Sequence, residues 1–128
     1  WGVSRGLGDV YKRQDILFLN NEMDGHDQYF DNELFQEYCE THSFEGKKNQ
    51  ILSVPPSFSK SENLTFLVGL GEDKEDNNFY DIGTLIGSKI KSDAEIKFLN
   101  NGGNINLIID GILYVQYKFN NYKSYKIE

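Results

Sequence analysis

The sequence predicts an α/β layered domain with a largely parallel or mixed sheet. Three observations carry that expectation. Strand-like and helix-like segments alternate from end to end. The 128 residues fit one domain, long enough to bury a single core without disulfides or metal. No internal repeat or linker interrupts the alternation. Hydrophobic residues at 38% and charged residues at 26% are ordinary for a globular chain, so the pattern reads as a packed core rather than a solvated tail.

The first fourteen residues stand apart. Trp1 to Gln14 hold the only tryptophan and three of the four basic residues before Lys48. The string Gly6-Leu7-Gly8-Asp9-Val10-Tyr11-Lys12-Arg13-Gln14 resembles translated sequencing-adaptor read-through. Residues 1–14 are therefore expected to be non-native, and Gly6-Leu7-Gly8 is not read as a phosphate loop. From Asp15 the elements follow in order. Ile16-Leu17-Phe18-Leu19, bounded by Asn20-Asn21, is a short continuous apolar run of the kind a doubly covered strand shows. Asp31 or Asn32 can cap a helix whose Leu34, Phe35, Tyr38 and Cys39 form one apolar face, ended by Gly46 and the lysines after it. Gln50 to Val54 reads as a second strand, stopped by Pro55-Pro56.

Leu64 to Val68 is the strongest strand signal and runs into Gly69-Leu70-Gly71 and an acidic turn. A helix over about Asn78–Lys91 places Phe79, Ile82, Leu85, Ile86 and Ile90 on one face. Gly83 and Gly87 within it allow close helix packing, at about 1 kcal/mol each in helix propensity relative to alanine. Glu95 to Leu99 is a fourth strand, closed by Asn100-Asn101-Gly102-Gly103. A last helix from about Asn104 carries Ile105, Ile108, Ile109, Ile112, Leu113 and Tyr117 at helical spacing.

Composition narrows the function classes. The net charge is −7, and it moves to −9 without residues 1–14, which hold three basic residues and one acidic one. An acidic surface repels phosphates and argues against a nucleic-acid partner. Apolar runs are far shorter than the roughly 20 residues a bilayer requires, so no membrane partner is expected. No export leader is recognisable, and the expected compartment is the cytoplasm. The single cysteine, Cys39, is read as a buried hydrophobe in a reducing compartment. Asn63-Leu64-Thr65 matches a glycosylation pattern without the export that would use it.

The candidate sites each meet a plainer structural account. Gly69-Leu70-Gly71 lacks the third glycine of a dinucleotide fingerprint, since Lys74 stands there, and Glu72-Asp73 and Glu75-Asp76 would repel a phosphate. It is read as a strand-ending turn. Asp24, His26, Asp27, Asp31 and Glu33 offer metal-ligand chemistry, without the alternating acids and central glycine of a calcium loop; a solvated turn is preferred. His42 is expected to cap or decorate a helix end. Lys118, Lys123 and Lys126 with Tyr117, Tyr122 and Tyr125 form a small basic-aromatic tail, read as an interdomain contact. No nucleophilic serine motif, paired cysteines, His-Glu-x-x-His or phosphate loop occurs, so catalytic, cofactor-binding and metal residues are all expected to be none.

Two segments carry a family resemblance. Leu67-Val68-Gly69-Leu70-Gly71 resembles the Leu-Val-Gly-Leu-Gly strand and turn in the N-terminal domain of the M17-type leucyl aminopeptidases. Ile109-Asp110-Gly111-Ile112-Leu113, then Tyr117-Lys118-Phe119-Asn120-Asn121-Tyr122-Lys123, is similar to that family's Glu-Gly-x-x-Leu followed by Tyr-Arg-Phe-Asp-x-Tyr-Lys. Order and spacing agree, although Lys118 and Asn120 replace the usual arginine and aspartate. The resemblance implies a macro-domain-like three-layer α/β/α fold with a mixed sheet over residues 15–126, with 127–128 starting a linker. It further implies a hexameric enzyme that removes N-terminal residues from peptides with two divalent metals, zinc or manganese, which can activate a water and stabilise the oxyanion. The ligands belong to a C-terminal domain whose motifs are absent here. The expected partners are that catalytic domain and sister subunits, with this chain inert. The alternative is a stand-alone macro-like domain binding ADP-ribose or a related nucleotide, against which Gly71-Glu72-Asp73 speaks. A structural domain fused to something unrelated is a third reading.

Overall fold

A computed structural model describes residues 13–72, 78–90 and 94–119. Eight elements follow in chain order: strand β1 (Arg13–Asn20), helix α1 (Asn32–Thr41), strand β2 (Ile51–Val54), a 3-10 turn (Pro56–Phe58), strand β3 (Leu64–Gly71), helix α2 (Phe79–Lys89), strand β4 (Glu95–Phe98) and helix α3 (Ile105–Phe119). The sheet order is β2-β3-β1-β4. β1 pairs in parallel with both β3 and β4, while β2 runs antiparallel along β3. The sheet is mixed and lies between two helical layers, a three-layer α/β/α domain as expected.

The layers follow from the period of two in the central strands. Ile16 and Phe18 of β1, with Phe66, Val68 and Leu70 of β3, meet Ile82, Ile86 and Ile90 of α2 and Ile108 and Ile112 of α3. Leu17, Leu19 and Leu67 point to the opposite face and meet Phe30, Phe35, Cys39 and Phe44. Both faces of β1 and β3 are therefore dry, which is why their sequences are continuous apolar runs rather than alternations. The helix after β1 lies on one face and the helix after β3 on the other.

Of the two residues read as a possible cap, Asp31 fills the role, and Asn78, read only as a helix start, caps the next helix. The Asp31 carboxylate accepts the Leu34 amide N–H, and the Asn78 side chain accepts that of Asp81. The pairing of β1 with β4 continues past the end of β4 through a side chain. Asn100 Oδ1 accepts the Phe18 N–H at 2.8 Å while its Nδ2 donates to the Phe18 carbonyl at 2.8 Å, as a further strand residue would.

Several expectations are corrected. β1 begins at Arg13, not Ile16, and Gln14 and Asp15 are buried within it. α1 stops at Thr41, before Gly46, because Ser43 takes a positive φ of 57° and the Phe44 N–H then bonds back to the Cys39 carbonyl at 2.9 Å. Leu34 does not share the buried face of Phe35 and Cys39; it is 46% exposed. The apolar set of α3 divides. Ile108 and Ile112 pack inward, whereas Ile109, Leu113 and Tyr117 are exposed. Among the described residues no helix is long and apolar enough to cross a membrane.

Candidate functional site

In open α/β sheets, ligands collect at the carboxyl ends of the strands, where the chain leaves adjacent strands for opposite layers. Here that place is the crevice beyond Asn20 of β1 and Gly71 of β3. The segment Gly46–Gln50 occupies it. The Gly69 N–H donates to the Gln50 carbonyl at 2.9 Å, and the Gly71 N–H donates to the Gly46 carbonyl at 2.8 Å. These two amides, which a phosphate cradle would use, are committed to the protein's own backbone. The glycines are there for close approach. A Cβ on Gly69 would collide with the Lys47 carbonyl, and one on Gly46 with the Asn20 carbonyl. Gly69-Leu70-Gly71 is thus the end of β3 itself rather than a turn after it. Asp73, Lys74, Glu75 and Asp76 lie outside the described residues.

Beside the crevice a cavity of about 450 Å³ is lined by Met23, His26, Phe35, Cys39 and Phe44, with Glu22, Glu40 and Glu45 also in its wall. The two groups that could act there are both committed elsewhere. The His26 ring stacks on Phe35 with centroids 4.3 Å apart. Its Nδ1 lies 2.8 Å from the Met23 carbonyl and its Nε2 lies 2.9 Å from Asn32 Oδ1. Cys39 is 4% exposed, and burial pushes its thiol up to about 11. A nucleophilic cysteine is a thiolate stabilised by a nearby positive charge, and this sulfur has the opposite surroundings. Neither His26 nor His42 is hydrogen-bonded to it; the exposed His42 caps α1 and lies against Tyr38 at 4.4 Å.

The acidic run does not converge. Asp24, Asp27, Asp31 and Glu33 are exposed, and Asp31 serves as a helix cap. Among the described residues no three histidine, cysteine or acidic side chains come together as metal ligands would. The two divalent metals implied by the resemblance have no fitting donor set here, and no chemical step is assigned to them. Of the basic-aromatic tail, Tyr117 and Lys118 lie exposed on α3, with Lys118 Nζ 5.5 Å over the Tyr114 ring. Tyr122, Lys123, Tyr125 and Lys126 fall outside the described residues.

One polar site was missed in the sequence. Asp15 is wholly buried on central strand β1, where its carboxylate accepts from Arg13 Nε at 3.1 Å and from Ser61 Oγ at 3.1 Å. It lies in the wall of a second cavity, of about 180 Å³, roofed by the loops around Tyr29 and Ser59. An aspartate heading an apolar strand gives no sign in sequence of whether it is buried or lies just beyond the strand.

No family model matches the chain, and no curated protein matches it. Among solved structures, a tomato leucine aminopeptidase mutant is similar, at 14% identity and a TM-score of 0.48, over 82% of this chain and 25% of that chain. The chain thus spans 25% of the length of that solved protein.

Proposed function

We propose that this chain is the non-catalytic α/β domain of an M17-type leucyl aminopeptidase, acting as a docking and assembly module for a catalytic domain beyond it. The observation that carries the reading is the outer face of α3. Ile109, Leu113 and Tyr117, spaced i, i+4 and i+8, form one exposed line along the helix, 37%, 42% and 49% exposed, with Leu107 and Tyr114 beside it. A surface helix normally turns polar residues outward, and one that is apolar on both sides is covered in its working state.

The line falls inside the segment that resembles the family. Gly111 and Ile112 of that segment pack inward in this domain, whereas its Ile109, Leu113, Tyr117 and Phe119 do not. A catalytic domain seated on α3 accounts for the outward members. The commitment of His26, Cys39 and the Gly69 and Gly71 amides to structure supports a role exercised through surfaces.

The test is to read the coding sequence past Glu128. The expected result is an in-frame second domain with the lysine, aspartates and glutamate that bind two divalent metals. An in-frame stop, or a continuation without those ligands, overturns the reading. Saturable ADP-ribose binding by the purified chain, measured by calorimetry, would favour the nucleotide-binding alternative instead.

A further inference from the structure

The cavity beside Asp15 combines a closed charge pair with uncompensated positive charge. Lys60 and Lys97 line it with Arg13, three of the seven basic residues in the described part of an acidic protein; Arg13 belongs to the segment expected from the sequence to be non-native, and the charge that selects a ligand comes from the two lysines. Asp15 is the one carboxylate in the lining, and Arg13 and Ser61 already engage it. Glu95, which faces Arg13 in register, lies outside the lining. Lys97 faces Asp15 in register on β4 and forms no ion pair among the described residues. Lys60 Nζ reaches only the neutral Asp27 carbonyl, at 3.3 Å. The Gln28 amide is also in the wall, with no hydrogen bond to another of the described residues.

The volume sets the ligand's size. A cavity of about 180 Å³ has room for about six waters at roughly 30 Å³ each. That lies below the roughly 300 Å³ at which pockets for larger organic ligands such as nucleotides begin. We propose that this cavity binds a small oxyanion, inorganic phosphate or a short carboxylate, held between Lys60 and Lys97 over the Asp15–Arg13 pair. The Gln28 amide donates a further hydrogen bond. Buried Asp15 neutralises Arg13 and fixes the floor, and the two lysines supply the net charge that selects an anion. This inference is independent of the aminopeptidase reading.

The test is a titration of the full chain with sodium phosphate, and separately with sodium acetate, at constant ionic strength held by chloride. Backbone amide NMR shifts report the site. Saturable shifts centred on Lys60, Thr65 and Lys97 are expected, with a Kd on the order of 1 mM for two charge-assisted contacts. Which salt saturates names the oxyanion. Lys60→Gln and Lys97→Gln are each expected to weaken binding about tenfold. Lys89→Gln, on an exposed lysine outside the cavity, should leave it unchanged. Because the substituted side chains are exposed, the ligand-free thermal midpoints should match wild type. Shifts that never saturate with either salt overturn the proposal. So does saturable binding that persists in the Lys60→Gln/Lys97→Gln double variant.

Discussion

Burial decides what Cys39 can do, and it does so with a measurable sign. Its thiol is raised from 9.0 in the unfolded chain to about 11 in the fold by burial. The folded value is the higher one, so the stabilisation is complete below pH 9 and is lost as pH rises through 11. One pKa unit corresponds to about 1.4 kcal/mol, so the loss is on the order of 2 kcal/mol. Urea midpoints at pH 8 and pH 11 should fall more steeply for wild type than for Cys39→Ala, in which the other titrating groups are unchanged. Equal slopes would show that the thiol is accessible to solvent. Gln116 is the converse case. It is buried at 7% exposure, and its Nε2 is a buried side-chain donor with no partner among the described residues. An unmet buried donor costs about 1–3 kcal/mol, and a leucine of similar size removes it. Gln116→Leu should therefore raise the urea midpoint by an amount equivalent to about 1 kcal/mol; a lower midpoint would mean the amide is engaged after all. Asp15 shows the limit of reading at this scale. Its type is visible in the chain, but its burial depends on Ser61, 46 residues away.

At the scale of elements, the two helices on one face are joined through glycine. A Cβ on Gly83 would collide with the Ile108 carbonyl oxygen, whereas one on Gly87 would meet Ile112 at 3.0 Å, tight but open to a small adjustment. In an isolated helix either glycine-to-alanine change would stabilise by about 1 kcal/mol. In this packing Gly83→Ala should instead destabilise by about 2 kcal/mol or more, and Gly87→Ala by clearly less. Chemical denaturation of both variants checks the order, and equal effects would mean that α2 and α3 are less closely seated. The elements themselves were legible because each is dictated locally: Asp31 and Asn78 cap, Ile16–Leu19 and Leu64–Val68 are continuous apolar runs, and Gly83 and Gly87 mark a close approach. What escaped the sequence depends on neighbours distant along the chain. Where α1 stops is set by the positive φ of Ser43 and the Phe44 bond back to Cys39 rather than by Gly46. The two faces of α3 blur because isoleucines and leucines occupy both, so spacing alone cannot say which row meets α2. The cavity at Asp15 was illegible for the same reason, since its wall is gathered from β1, β3, β4 and two loops.

For the whole molecule, the strand order places the ligand crevice of an open sheet between β1 and β3, and the chain then closes it with its own Gly46–Gln50 backbone. With that position filled, the apolar line on α3 is turned outward among the described residues, and it has a consequence for the chain in isolation. A partly exposed stripe of this kind drives self-association, because water is released whether the cover is the natural partner or another copy. Ile109→Lys with Leu113→Glu replaces two residues that are 37% and 42% exposed and that the domain's own core does not use. The double variant should keep the wild-type urea midpoint to within about 0.5 kcal/mol, as surface substitutions do, while sedimentation shows less concentration-dependent association. It should also fail to bind a catalytic domain that wild type binds, supplied as a separate polypeptide. A midpoint that falls by several kcal/mol would place Ile109 and Leu113 in this domain's own core. Unchanged midpoint, association and binding would mean that the face is not a contact surface.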